Sequence, residues 1–115
     1  MKKTQTMNAK YKKPKMSKLI KKILKWADNK GILAGSDPKT QALKCVSEVG
    51  ELCDNVAKGN TEATRDDLGD TVVTLIILAE LLGHDLTECV AEAYAEIANR
   101  KGKMQNGTFV KEESK

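Results

Sequence analysis

Ser47-Glu48-Val49-Gly50-Glu51-Leu52 and Asp66-Asp67-Leu68-Gly69-Asp70-Thr71 are the two stretches that decide how this 115-residue chain folds. Each sets two carboxylates at i and i+3 among apolar neighbours. On an α-helix a three-residue step advances ~4.5 Å and leaves the two side chains roughly 60° apart around the axis. Glu48 and Glu51 therefore project from one strip, and Asp67 and Asp70 from another. Only a few residues around Gly59 join the two segments, and so short a connection makes the helices antiparallel neighbours. If the strips face each other, four carboxylates converge. Such a cluster repels itself unless a cation holds it, and hard oxygen ligands favour magnesium or manganese. The competing reading is a solvated acidic face, with Lys44 an ordinary ion-pair partner one turn before Glu48. Gly50 and Gly69 favour the first reading. A glycine inside a helix costs ~1 kcal/mol relative to alanine, a cost carried more readily where close backbone approach or a ligand needs the space.

Working outward, the helix that carries the first motif opens with Asp37 or Ser36 as cap and Pro38 at its first position, and runs to about Lys58. Leu43, Val46, Val49 or Gly50, Cys53 and Val56 mark one side, and Lys44, Glu48, Glu51 and Asn55 a polar one. Asn60 or Thr61 starts the next helix, which lasts to Leu82 and stops at Gly83. Nine of the eleven residues from Val72 to Leu82 are apolar, which predicts burial on nearly all sides and a subunit interface. Before these, Ser17 to about Lys30 reads as an amphipathic helix with Leu19, Ile20, Ile23, Leu24 and Ala27 inward and Trp26 at the stripe's edge. Gly31 to Ser36 reads as a connector. After them, Asp85-Leu86-Thr87-Glu88 has the form of a capping box for a helix to about Arg100. The tail from Gly102 reads as irregular, with a turn at Asn106-Gly107.

Composition agrees with an all-α chain: aromatics are only 3%, and β-branched residues do not alternate. A chain this short buries a modest core, so a four-helix bundle completed by oligomerisation, as a homodimer or homotetramer, is expected. Cys45, Cys53 and Cys89 have no metal-ligand spacing and read as small buried hydrophobes in a reducing compartment. The first 25 residues hold ten lysines and no acid, while the whole chain is +4, so the remainder carries −6. Residues 1–16 read as a disordered basic tail, 17–111 as the helical domain and 112–115 as a second tail. The leader has no arginine and a single aromatic, Tyr11, so it is read as solubilising rather than as a nucleic-acid arm. The early lysines are followed by no uninterrupted apolar run, and none of the chain is long enough to span a bilayer. A cytoplasmic protein without membrane contact is expected.

The combined motif, Lys44 to Leu52 followed by Asp67-x-x-Asp70, resembles that of the MazG-like nucleotide pyrophosphohydrolases of the all-α NTP pyrophosphatase superfamily. Their signature is Glu-Glu-x-x-Glu, a spacer, then Glu-x-x-Asp. The resemblance extends from Leu19 to about Lys111, with Arg100-Lys101-Gly102-Lys103-Met104 and Asn106-Gly107-x-Phe109-Val110-Lys111 similar to the family's C-terminal segment. It implies a helical bundle, dimeric or higher, that uses magnesium to split nucleoside triphosphates into monophosphate and pyrophosphate. Ser47 stands where the family has its first glutamate, and Asp67 where the second half opens on glutamate. The serine removes a carboxylate, so the carry-over is confined to Glu48, Glu51, Asp67 and Asp70 as metal ligands. Glu48 or Glu51 is the candidate to accept the proton of an attacking water. Lys44, Arg100, Lys101 and Lys103 are candidates to bind substrate phosphates, against the plainer reading of the last three as cations favoured at a helix C-terminus. Two rival functions stay open at this level. One is a dUTP-, dCTP- or phosphoribosyl-ATP-specific pyrophosphatase; the other is a non-enzymatic helical module with a basic arm.

Overall fold

The computed structural model describes residues 12–113. The reading of the leader up to residue 11, and of residues 114 and 115, lies outside them. The described chain runs α1 (Met16–Asn29), α2 (Ile32–Gly35), α3 (Pro38–Lys58), α4 (Thr61–Leu81), α5 (Leu86–Ile97), β1 (Gly102–Gln105) and β2 (Thr108–Lys111). The all-α expectation holds: helices take up 71% of the described residues.

The caps fall where short polar side chains meet orphan amides. Asp37 accepts from the Thr40 amide at 2.9 Å and from its hydroxyl at 3.1 Å, and Pro38 occupies the first turn of α3. Asn60 accepts from the Ala63 amide at the start of α4, and Asp85 from the Glu88 amide at the start of α5. Gly59 and Gly83 follow α3 and α4 with φ of 73° and 77°, left-handed values that glycine reaches without strain. The two bonds from Thr40 hold the Asp37 carboxyl below its usual range. A lowered folded value contributes stability above the ordinary 3.8 that is lost as the pH falls through the folded value. Asp37→Ala is therefore expected to lower Tm at neutral pH, with the gap to the parent closing below that range in melts taken across pH.

Several expected boundaries move. Helix α1 starts at Met16, and Lys15 rather than Ser17 is its cap residue, without a side-chain bond. The connector folds into the single turn α2, because Gly31 at φ 77° redirects the chain and Ile32 and Leu33 find partial cover. Helix α5 ends at Ile97, short of Arg100. The tail is ordered: β1 and β2 pair antiparallel, with Met104 opposite Phe109 and Gln105 opposite Thr108. The expected Asn106-Gly107 turn sits between them with φ of 51° and 82°. Two successive positive values form the two-residue turn whose twist suits a hairpin. A Cβ at Gly102 would run into the Val110 carbonyl and the Phe109 ring, so this position admits glycine alone.

Helices α3 and α4 form the central antiparallel pair, with α1 laid across α4 and α5 touching α4 near its start. Packing centres on Ala27 of α1 and on Ile76, Ile77 and Ala79 of α4. The apolar half of α4 supplies most of this core: Thr74, Ile76, Ile77 and Ala79 are buried, Val72, Val73, Leu78 and Leu81 half-buried, and Leu75, Glu80 and Leu82 exposed. The most exposed apolar stripe lies on α3, where Leu43, Val46 and Val56 are 71, 67 and 62% exposed. The cysteine expectation is also corrected, since Cys45 is half-buried while Cys53 and Cys89 are exposed. No helix among the described residues is long and apolar enough to cross a membrane.

Candidate functional site

The seam between α3 and α4 is polar. On α3 the residues turned toward α4 are Gln41, Cys45, Glu48, Leu52 and Asn55, a 4-3-4-3 spacing that keeps one face on a neighbouring helix. Across from them stand Asp67, Thr71 and Thr74. At one end the buried Gln41 donates to the Thr74 carbonyl at 3.2 Å. At the other, the Asn55 amide donates to an Asp67 carboxylate oxygen at 2.7 Å. These two bonds fix the antiparallel register, and the register places Glu48 and Glu51 opposite Asp70 and Asp67.

The four acids are not equivalent. Asp67 is buried, at 7% exposure, and anchored by Asn55. Glu48 is partly sheltered, with its side chain 12% exposed. Glu51 and Asp70 lie open at the rim. Burial pushes the Glu48 carboxyl above its ordinary value, and the charge of Glu51 pushes it further, with smaller contributions from Asp70 and Asp67. Lys44 works the other way and does not cancel them. Its ammonium is 4.0 Å from Glu48, at the limit of an ion pair, and 63% exposed, where such pairs count for little. Glu48 senses the neighbouring acids more than it senses the lysine. That is a mark of a shared acidic field rather than a salt-bridged face.

Among the described residues no three acid, imidazole or thiol groups are drawn closely enough together to hold a metal ion as they stand. The donor chemistry nevertheless suits a hard divalent cation: all four groups are carboxylates, they repel one another, and two sit at an open rim where rotation is free. Neither helical glycine answers to a close approach within the chain, because a Cβ at Gly50 or Gly69 would meet nothing within 4 Å. The space beside both motifs is open.

Of the basic candidates, only Lys44 makes an ion pair with one of the four acids among the described residues. Lys44 is on α3 beside Glu48. Arg100 lies past the end of α5 and pairs with Glu96 at 3.3 Å. Lys101 and Lys103 belong to the hairpin, which packs broadly on neither α3 nor α4. Asn55 is the residue that sequence reasoning placed on the right strip without giving it a task. The signal was its distance from the Gly59 turn, which puts it opposite Asp67 in any antiparallel pairing.

The family description "MazG nucleotide pyrophosphohydrolase domain" matches residues 36–105, which takes in both acidic motifs, α5 and the first hairpin strand. The chain belongs to the MazG family. The MazG match begins one residue before the α3 cap, so the paired helices are its heart. An uncharacterized 18.2 kDa protein in the rep-hol intergenic region of Haemophilus phage HP1 (strain HP1c1) is 38% identical over 65 residues. That match covers 56% of this chain and 40% of the phage protein, so the chain corresponds to less than half of that relative. No solved structure matches.

The raised Glu48 value has a direct consequence for pH. A carboxyl easier to protonate when folded than when unfolded weakens the fold above its folded value, and the loss is relieved as pH falls toward the ordinary 4.5. Metal-free protein is therefore expected to gain stability on mild acidification within that window. In Glu48→Gln this gain should shrink or vanish. Urea melts of both proteins at closely spaced pH values measure it.

Proposed function

We propose that this chain is a magnesium-dependent nucleoside triphosphate pyrophosphohydrolase, and the observation that carries the proposal is the α3–α4 pairing that sets Glu48 and Glu51 opposite Asp70 and Asp67. These four carboxylates would hold the cation, with manganese as a substitute. A nucleoside triphosphate brings several negative charges that the bare site repels; a divalent ion held by these carboxylates would reverse that field and supply the Lewis acidity that makes water a nucleophile. The chain's own residues do the rest. Glu48 or Glu51 takes the proton of a water attacking the α-phosphorus in line. The α–β phosphoanhydride bond breaks, the nucleoside monophosphate stays with the new oxygen, and pyrophosphate leaves. Lys44, at the rim beside Glu48, is placed to meet a phosphate oxygen. Asn55 holds Asp67 in its orientation throughout.

The working unit is proposed to be a homo-oligomer, supported by the uncovered stripe Leu43, Val46 and Val56 along α3. The test of the reaction is pyrophosphate release across a panel of ribo- and deoxynucleoside triphosphates, with magnesium and with chelator. Equal amounts of monophosphate and pyrophosphate, formed only with the metal, are expected. Release of orthophosphate alone, or no turnover on any triphosphate, would overturn the assignment. The same panel separates a general enzyme from one committed to a single base.

A further inference from the structure

Residues 12–30 hold eight lysines and one acid, Asp28. All eight lysines are exposed, and among the described residues none lies within ion-pair distance of a carboxylate. Their placement on α1 is not even. At about 100° per residue, Lys18, Lys22 and Lys25 fall within about 60° of one another, and Lys15 heads the same row, which is about 15 Å long. The opposite face is occupied. Leu19, Ile20, Ile23 and Leu24 are half-buried and Ala27 is buried, turned into the packing with α2 and α4.

Trp26 sits between the lysine row and the packed face, 48% exposed. It lies one turn after Lys22, and the two share an open recess of about 320 Å³ whose other walls are Leu19, Ile23 and Val73. The neighbouring side chains hold one part of the indole, and the rest is left to solvent. Asp28 comes two residues later and so lies about 160° around the helix from it. A row of cations suits a chain of phosphates, and a held aromatic ring beside the row suits an unpaired base. Other polyanions fit less well. A helix that binds a membrane surface buries its apolar face in lipid, and α4 already occupies that face of α1. A duplex keeps its bases stacked inside, so it would meet the lysines and leave Trp26 unused.

We propose that the exposed face of α1 binds single-stranded nucleic acid, with phosphates along Lys15, Lys18, Lys22 and Lys25 and one base stacked on Trp26. The contact tolerates any sequence, because every base has a π-face. It uses none of the four carboxylates and stands apart from the reaction proposed above.

Trp26 is the only tryptophan of the chain, so its fluorescence reports a stacked base directly. The full chain is titrated in chelator with a short single-stranded oligonucleotide of mixed sequence. Saturable quenching is expected, with a matching rise in the anisotropy of a labelled strand. Log affinity should fall against log salt with a slope of about −3, as four phosphate contacts on a single strand require. Lys18→Ala/Lys22→Ala/Lys25→Ala should lower affinity about tenfold or more and bring the slope to about −1, with circular dichroism unchanged. The same charge removed from the leader, in Lys2→Ala/Lys3→Ala/Lys10→Ala, should cost roughly threefold at most. Read by anisotropy, Trp26→Leu should weaken the single strand about tenfold and leave a duplex of the same sequence nearly unaffected. No saturable quenching, or equal losses from the helix and leader variants, would overturn the proposal. So would displacement by a mononucleotide at the strand's own concentration, which would reduce the face to a subsite for one nucleotide. Tighter binding to phosphatidylserine–phosphatidylcholine vesicles than to the strand would overturn it in favour of a membrane surface.

Discussion

Glu51→Gln and Asp70→Asn should each reduce pyrophosphate release by about a thousandfold or more, some 4 kcal/mol in the barrier, without harming the fold. Both side chains lie at the open rim and neither makes a hydrogen bond or ion pair among the described residues, so the substitutions remove charge and little else. Each exchanges a hard anionic donor for a neutral amide. That weakens the metal and with it the field that admits a triphosphate. The effect on the metal-free protein has the opposite sign. Glu51 and Asp70 both press on the Glu48 carboxyl, so neutralising either relieves repulsion, and Tm should hold or rise. Magnesium should raise the parent's Tm and leave that of the variants nearly unchanged. A salt-bridged structural face would give the reverse, with turnover intact and stability slightly lowered. Melts with and without magnesium, beside pyrophosphate assays, measure both sides. Active variants, or a parent whose Tm ignores magnesium, would refute the site.

Ile76→Asp should unfold the subunit. Ile76 is 2% exposed at the meeting of α1 and α4, and it is the largest fully buried side chain. Removing so much buried apolar volume from a site of this kind costs about 2–5 kcal/mol, and burying an unpaired carboxylate adds to that. A domain with about 5–15 kcal/mol in total does not survive such a loss with much margin, and this one has a small core. The expected result is loss of the helical circular dichroism signal at 25 °C. Val46→Asp provides the contrast. Val46 is 67% exposed on α3, so a charge there should leave the helices intact and dissociate the oligomer, as light scattering would show. If Ile76→Asp stays folded and merely becomes monomeric, the core has been misplaced. If Val46→Asp remains oligomeric, the α3 stripe is not the interface.

Local chemistry made much of this molecule legible. Asp37-Pro38, Asn60, Gly59 and Gly83 bound α3 and α4 as their side chains and left-handed φ values require, whatever surrounds them. The spacing of Glu48, Glu51, Asp67 and Asp70 put the acids on facing helices because a short turn leaves no other pairing. The family followed from those same residues. What spacing could not supply was depth. The polar strip of Glu48 and Asn55 turned inward and the apolar strip of Leu43, Val46 and Val56 turned out, although hydrophobicity alone would have placed them the other way round. The reason is tertiary: the hydrogen bonds from Gln41 to Thr74 and from Asn55 to Asp67 pin the seam, and with it which face of α3 meets α4. The hairpin was hidden for a similar reason. Its strands are four residues each, too short for a period to show, and only the pairing of Gly102 through Lys111 gives them form. Sequence thus determined the longer helices, their order and the facing of the two acid pairs, because these depend on neighbours a few positions away. Which face is buried, and how the hairpin strands pair, depends on contacts between distant segments, and those only the tertiary structure decided.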